Sequence, residues 1–201
     1  MRTKYKPWAK PYIEAHPEIS LTDEVLSTMD NIYLEIGSGK GKFLLEMALK
    51  YPLRTFIGIE RNVTCAGFTS RKLVDNDIHN AYLILANAEK VLETMKEGSA
   101  KIIYLNFSDP WPKTRHHKRR STSEVFLSLY KKVLSSDGII IQKTDNLDLF
   151  NFSKETYLEA GFEIIEEDRN YQLDDEDIMT EYEEDFRNNN EPIYRMKVKV
   201  K

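Results

Sequence analysis

Short apolar runs alternate with amphipathic segments along most of the chain, and this alternation restricts the possible fold more than any other feature. The runs have the length of buried strands, and the apolar residues between them recur on one helical face. Strands that alternate with helices form a mostly parallel sheet covered by helices on both faces. Predicted strands occupy residues 31–37, 55–60, 80–87, 100–107 and 138–144, and predicted helices occupy residues 41–51, about 62–76, a segment starting at Ser121, and about 147–160.

Two further strands are predicted near the end of the chain, over residues 161–171 and 192–200. The segment between them is polar and acidic, so we expect these two strands to pair antiparallel. The complete prediction is an α/β fold with a seven-stranded, mostly parallel sheet and a C-terminal antiparallel pair of strands.

The composition is that of a soluble globular protein, with 41% hydrophobic and 31% charged residues in a chain of 201. The first residues lack the apolar region of a signal peptide, and no apolar run is long enough for a membrane span. Cys65 is the only cysteine, so an internal disulfide is excluded and a reducing cytoplasm is the expected location. We expect one domain.

Charge is distributed unevenly although the net charge is only −4. The block 113–120 carries five Lys and Arg residues, and the first ten residues carry four basic residues and no acid. Thirteen acidic residues against two arginines fall within 163–191. Each block could be only a solvated surface. Two basic blocks in an acidic protein nevertheless indicate a polyanionic partner, and nucleic acid is the obvious candidate.

Polar residues and glycines follow the predicted strands at the points where a parallel sheet binds ligands. Glycines after the first strand allow a tight turn and close approach of a ligand to the backbone. An acid that ends the second strand can accept both ribose hydroxyls, and an amide after the third can accept from an adenine amino group. Each residue alone could be a simple turn or cap residue. The candidate adenosine-binding residues are Gly37, Gly39, Gly41, Glu60 and Asn87.

The motifs YLEIGSGKGKF, GIE, LNFSDPWPK, RHHKRR, KTDN and TEYE together resemble the bacterial tRNA (guanine-N7)-methyltransferase family. The resemblance covers nearly the whole chain from about Asn31, and DPWPK followed by a basic run is its most specific part. It implies a Rossmann-like class I methyltransferase fold, S-adenosylmethionine as methyl donor, and methylation of N7 of guanine 46 in the tRNA variable loop. It also implies a basic N-terminal arm and helix over 1–30 and a catalytic core over 31–201.

The family motifs imply a role for individual residues of this chain. Glu35, Glu60, Asn87 and Asp109 would line the cofactor site, and Asp109 would also be the catalytic residue. The position of Asn87 is often Asp in the family, so its adenine contact is the least secure. The implied substrate-binding residues are Lys113, Asp145, Thr180, Glu181, Tyr182 and Glu183, and the implied RNA-binding residues are Arg115, His116, His117, Lys118, Arg119 and Arg120.

The segment around Asp109 suits this reaction on chemical grounds. Guanine N7 carries an in-plane lone pair and needs no base, and positive charge develops on the purine during transfer. A carboxylate beside the methyl path can stabilise that charge or can position the reacting atoms. Pro110 and Pro112 are expected to hold the loop extended around Trp111. The alternative is a rigid turn in which Trp111 plugs the core.

Two carboxylates are candidates for recognising guanine. Its Watson–Crick edge offers two donors, which suit an acceptor such as Asp145 or Glu183. Thr180 and Glu183 also have the spacing of a helix capping box, and both roles can hold together. His116 and His117 lack a third ligand at metal spacing, so no metal site is expected.

Other function classes stay open at this stage. An NAD-type oxidoreductase would share Glu60 but not the glycine spacing, and a non-catalytic RNA-binding module would not need the glycine loop. Methyltransferases that act on amino groups carry an Asp/Asn-Pro-Pro-aromatic motif, whereas this chain has DPWP. The expected partner is tRNA, with no membrane, and the chain could be a monomer or a homodimer.

Overall fold

The computed structural model describes residues 3–201, so Met1 and Arg2 of the basic arm lie outside the described residues. Its sheet contains β1 (Ile32–Ile36), β2 (Thr55–Glu60), β3 (Ala81–Leu85), β4 (Ala100–Asn106), β5 (Leu134–Thr144), β6 (Phe162–Asp168) and β7 (Tyr194–Val200). The α-helices of the described chain are α1 (Ala9–Ala15), α2 (Asp23–Leu26), α3 (Lys42–Lys50), α4 (Val63–Asp75), α5 (Ala88–Thr94), α6 (Glu124–Val133), α7 (Leu147–Glu159) and α8 (Glu181–Asn188). Short 3-10 helices cover Pro17–Ile19 and Thr114–Arg119.

The seven strands lie in the order β3-β2-β1-β4-β5-β7-β6. Strands β1 to β5 pair in parallel, and β7 is antiparallel to both β5 and β6, so the predicted antiparallel pair is confirmed. The order of the strands reverses between β1 and β4. In a doubly wound sheet, this switch point opens a crevice at the carboxyl ends of the strands.

Buried side chains fill both faces of the sheet, because neighbouring residues of a strand point to opposite faces. In β2, Ile57 and Ile59 belong to the core beneath α5, α6 and α7, whereas Phe56 belongs to the core beneath α3 and α4. Apolar residues on both faces explain why the strands appear in the sequence as continuous apolar runs.

Differences from the sequence prediction include those at α6, β5 and α5. The predicted N-cap of α6 at Ser121 is wrong. Ser123 occupies the N-cap position, and it makes no side-chain cap hydrogen bond. β5 begins at Leu134, directly after α6, and is therefore longer than predicted. α5 was not predicted, because seven residues are too few for a clear helical period.

The N-terminal helix α1 packs closely against α4. A Cβ atom on Gly67 would lie 2.4 Å from the Cβ of Ala9, so this contact requires glycine. The Trp8 and Phe68 rings meet edge to face at a centroid distance of 5.2 Å. This packing brings the residues that precede α1 beside the carboxyl ends of the strands. Within residues 3–201, no helix has the length and apolar character needed to cross a membrane.

Candidate active site

A cavity of about 570 Å³ opens at the carboxyl ends of β1 and β4, at the switch point of the sheet. Its walls come from five parts of the chain that are distant in sequence: the end of β1 with the glycine loop, α4, the end of β4, the start of α8, and the N-terminal segment. Lys4 and Lys6 are among the lining residues of the N-terminal segment. No local pattern in the sequence could have placed them there, because their position follows from the packing of α1 on α4.

The three glycines of the loop have different roles. Gly37, Gly39 and Gly41 all have positive φ angles, of 79°, 58° and 79°. A Cβ atom on Gly37 or Gly39 would meet no atom within 4 Å, and both residues line the cavity. A Cβ atom on Gly41 would lie 2.6 to 2.9 Å from side-chain atoms of Thr69. Gly37 and Gly39 therefore keep the cavity open, and Gly41 allows the start of α3 to pack against α4.

The buried carboxyl group of Glu35 forms a polar floor in this cavity. The Asn106 side chain donates to Glu35 Oε1 at 3.0 Å. Within the described residues, Glu35 Oε2 and Asn106 Oδ1 are buried without a hydrogen-bond partner. Burial raises the pKa of Glu35 to about 8, and the nearby Glu181 and Glu60 act in the same direction. Asn106 Oδ1 and, in the ionised carboxylate, Glu35 Oε2 can receive a cationic, hydrogen-bonding part of a ligand.

Asn106 was not among the predicted site residues. The only signal in the sequence is that Asn106 follows the apolar run IIYL near the end of the predicted strand, where a polar residue of a parallel sheet faces the ligand crevice.

Glu60 shapes the glycine loop as the last residue of β2. Its Oε2 accepts from the backbone N–H of Gly39 at 3.0 Å, and its Oε1 accepts from Asn62 N–H at 2.7 Å. Each carboxylate oxygen can accept a second hydrogen bond, so the predicted contact with ribose hydroxyls is compatible with these bonds.

Asn87 occupies the N-cap position of α5. Its Oδ1 accepts from the backbone N–H of Glu89 at 3.4 Å, and its side-chain N–H group donates to the Glu89 carboxylate at 3.1 Å. Asn87 is therefore a helix-cap residue, which is the alternative that its sequence position allows. The predicted contact with adenine stays a prediction.

Asp109 lies in the exposed loop that follows β4. Its side chain is 67% exposed, and its Oδ2 is 3.3 Å from Nη2 of Arg61. The expectation that this loop is extended at Trp111 is wrong, because Trp111 has a φ of 42°. The two prolines restrict their own φ angles, and the Trp111 conformation is supported instead by contacts of its ring.

The half-buried Trp111 ring lies among basic side chains rather than in the core. The guanidinium groups of Arg61 and Arg119 lie 6.0 and 5.0 Å from its centroid, and the His116 ring meets it edge to face at 5.7 Å. The core-plug alternative is therefore not supported. The ring connects the Asp109 loop to the basic 3-10 helix by cation–π contacts.

The predicted RNA-binding block forms that 3-10 helix, and its members differ in exposure. Lys113 precedes the helix and is exposed, as are Arg115, Lys118 and Arg119. His116 and His117 are half-buried, with His117 against the Phe152 ring at a centroid distance of 5.2 Å.

Arg120 is a correction to the predicted RNA-binding surface, because its side chain is completely buried. Its Nε donates to the Pro110 carbonyl at 2.8 Å, its Nη2 pairs with Asp148, and its guanidinium group lies 4.4 Å from the centroid of the Phe152 ring. In this conformation Arg120 anchors the loop and cannot reach a phosphate.

The predicted substrate segment 180–183 forms the start of α8. Thr180 caps the helix by accepting from the backbone N–H of Glu183 at 3.0 Å, so the predicted cap is confirmed at Thr180. The Glu183 carboxylate binds Lys143 and Arg187 instead of completing the capping box. Tyr182 is 48% exposed and lines the cavity together with Thr180 and Glu181. Glu181 also pairs with Lys72 of α4 at 2.6 Å.

Glu183 does not face the cavity. Its carboxylate is fully buried, with Lys143 at 2.8 Å and Arg187 at 2.7 Å. Contact with a guanine would require this group to leave both cations. Asp145, directly after β5, is half-buried and therefore more accessible than Glu183. No cluster of three or more metal-ligating side chains occurs in residues 3–201.

The chain is similar to known proteins over nearly its whole length. A family model described as "Putative methyltransferase" matches residues 29–196. The chain is 38% identical over 208 residues to a tRNA (guanine-N(7)-)-methyltransferase of Limosilactobacillus reuteri, with 98% of each chain covered. It is 40% identical over 209 residues to a protein of the same name from Staphylococcus saprophyticus, with 99% of each chain covered.

Two solved structures illustrate the likeness of the fold. An rRNA methylase from Streptococcus thermophilus has a TM-score of 0.55 at 15% identity, with 100% of both chains covered. A SAM-dependent methyltransferase from Aquifex aeolicus has a TM-score of 0.59 at 11% identity, with 97% of this chain and 98% of that chain covered. At these identities the likeness concerns the fold alone.

Proposed function

The chain belongs to the tRNA (guanine-N7)-methyltransferase family, and we propose that its target is guanine 46 of the variable loop, with the cavity between β1 and β4 as the cofactor site. It is an S-adenosylmethionine-dependent enzyme that methylates N7 of guanine in tRNA. Relatives that match it over nearly their whole length are named for this reaction. Its fold is the class I methyltransferase fold.

The residues of the cavity fit S-adenosylmethionine. Gly37 and Gly39 leave space where side chains would otherwise project, and the unused acceptors of Glu35 and Asn106 suit a cationic group of the cofactor. Glu60 holds the loop and has acceptor capacity left for the ribose hydroxyls. When bound, the cofactor supplies an electrophilic methyl group on a positively charged sulfur. We propose that Asn87 contacts the adenine of the cofactor, more weakly than Glu60 contacts the ribose.

Asp109 is the proposed catalytic residue. Guanine N7 attacks with its own lone pair, so no protein group has to remove a proton. Positive charge that appears on the purine ring is stabilised by a nearby carboxylate, and Asp109 projects from the loop at the end of β4. Its pairing with Arg61 is exposed and therefore weak, so the carboxylate is free to turn toward a bound guanine.

The surface beside Asp109 is the proposed tRNA site. Lys113, Arg115, Lys118 and Arg119 are exposed at one side of the Asp109 loop, where they can contact phosphates. Trp111 joins this group to the loop. Asp145 and Tyr182 would then contact the guanine from β5 and α8. Residues 1–30 and 31–201 are proposed to act as one methyltransferase domain, since the N-terminal segment supplies part of the cavity wall.

The observation that carries the residue assignments is a cofactor-sized cavity lined by Asn106 and Phe107, at the point where the Asp109 loop leaves β4. Nucleoside mass spectrometry of unmodified tRNA incubated with the pure protein and S-adenosylmethionine tests the function. The expected product is 7-methylguanosine, which should be absent from a tRNA in which adenine replaces guanine 46. Methylation of both tRNAs would contradict the proposed position, and no methylation of either would contradict the function.

A further inference from the structure

A lysine is buried at the end of β5, beside the substrate segment. Lys143 is 1% exposed. Its ammonium group donates to Asp177 Oδ2 at 2.8 Å, to Glu183 Oε2 at 2.8 Å and to the Ile178 carbonyl at 3.1 Å. Lysine is almost never fully buried unless its charge is paired, and here all three donors are used.

Both carboxylates are also buried and are held by further partners. Asp177 and Glu183 are 7% and 0% exposed. Asp177 accepts from the Tyr171 hydroxyl at 3.1 Å, and Glu183 pairs with Arg187 on the next turn of α8. A buried ion pair of this kind often gives no more stability than apolar residues of the same volume would. The ion pair therefore matters more for the position of the segment that it holds than for the stability of the protein.

The contacts of Lys143 fall on the two ends of one short segment, 177–183. Asp177 and Ile178 lie before Thr180, and Glu183 lies after Tyr182. Thr180, Glu181 and Tyr182 between them line the cavity. One ammonium group on a rigid strand thus fixes both ends of the segment that faces the cofactor and the guanine.

We propose that Lys143 is a positioning residue for methyl transfer, which holds segment 177–183 against β5, and that Glu183 acts through this ammonium group instead of contacting the base. The inference rests on the proposed function of the cavity. It assigns Lys143 a role that the motif KTDN did not reveal, and it moves Glu183 from the substrate-contacting residues to the residues that position them.

The first experiment compares Lys143→Met with Phe162→Leu in single turnovers at saturating tRNA and S-adenosylmethionine. Phe162 is fully buried and pairs with Val200, at the end of the sheet opposite the cavity, so its variant controls for lost stability. We expect Lys143→Met to lose about 10- to 100-fold in rate at a temperature where both variants are folded, because small misplacements of reacting groups are costly. The control should stay within about two-fold of wild type.

If Lys143→Met does not fold, the pair Lys143→Met with Asp177→Asn replaces it. This double variant removes one charge of each sign and leaves the Glu183–Arg187 pair intact. Loss of rate with unchanged tRNA affinity supports positioning, since the basic 3-10 helix is untouched. A rate equal to that of the Phe162→Leu control overturns the proposal. Wild-type protein without any methylation would instead contradict the proposed function.

The second experiment tests Glu183 with a tRNA in which inosine replaces the target guanosine and so lacks the exocyclic amine. The ratio of the rates with guanosine and inosine is measured in two charge-balanced variants that both lack the ammonium group, Lys143→Met with Asp177→Asn and Lys143→Met with Glu183→Leu. On the proposal the ratio is the same in both variants, because Glu183 does not contact the amine. A ratio that falls to one only when Glu183 is replaced would show a direct contact and overturn this part of the proposal.

Discussion

At the scale of single residues, Glu35 makes the stability of the protein, and ligand binding in the proposed cofactor cavity, depend on pH. Its pKa is raised from 4.5 to about 8, first of all by burial, so the free protein binds a proton there at neutral pH. The unfolded chain does not hold this proton above its ordinary pKa. Between about pH 4.5 and 8 the folded state therefore binds more protons, and its free energy of unfolding falls as the pH rises through that window.

A cationic group of S-adenosylmethionine beside Glu35 favours the ionised carboxylate. Binding should thus release a proton below about pH 8, and affinity should increase as the pH approaches that value. Calorimetry in buffers of different ionisation enthalpy measures the released proton. The Glu35→Gln variant should bind without proton release, whereas Glu60→Gln should retain it. Equal proton release by wild type and Glu35→Gln would contradict the assignment.

At the scale of elements, the basic 3-10 helix divides into an exposed and a buried part. Replacing Arg115, Lys118 and Arg119 with alanine should weaken tRNA binding and reduce the slope of log affinity against log salt by roughly 0.7 to 0.9 per lost contact. Filter binding over a range of salt concentrations measures this slope. If the slope of the triple variant equals that of wild type, these charges form only a solvated surface.

Arg120→Met is the matched control from the same block. Because Arg120 is buried against Pro110 and Asp148, its loss should lower stability by about 1 to 3 kcal/mol and leave the salt slope unchanged. Thermal unfolding and the same binding assay distinguish the two effects.

Residues 113–120 show which features of a site can be predicted from the sequence and which cannot. Strands were predictable because burial on both faces produces continuous apolar runs, and the polar residues at their ends follow from the geometry of parallel sheets. The difference between Arg119 and Arg120 was not predictable, since it depends on Asp148 and Phe152 from α7. The burial of Glu183 likewise depends on Lys143, forty residues earlier in the chain. Tertiary contacts of this kind leave no local pattern.

At the scale of the whole molecule, the proposed cofactor cavity and the proposed tRNA surface both adjoin the loop that follows β4 and carries Asp109. The cavity at the ends of β1 and β4 is suited to the cofactor, and the exposed basic side chains after Trp111 are suited to the tRNA backbone. The loop 107–113 connects them along the chain. Two non-glycine residues of this loop, Phe107 and Trp111, have positive φ angles of 50° and 42°. Such backbone costs about 1 to 2 kcal/mol per residue and tends to occur at functional sites.

The position of Asp109 between the two surfaces leads to a prediction about the chemical step. Asp109→Ala should lose about 100-fold in single-turnover rate at saturating tRNA and S-adenosylmethionine, with most tRNA affinity retained, because phosphate contacts supply that affinity. Asp109→Asn distinguishes the two possible roles. If the negative charge stabilises the developing purine cation, the Asn variant should be as slow as Ala, and if the side chain only positions the base, Asn should recover part of the rate. Lys101→Met removes an ion pair with Asp137 at the opposite end of β4 and serves as the control, with a rate near that of wild type. An Asp109→Ala enzyme within a few-fold of wild type would show that this aspartate is only structural.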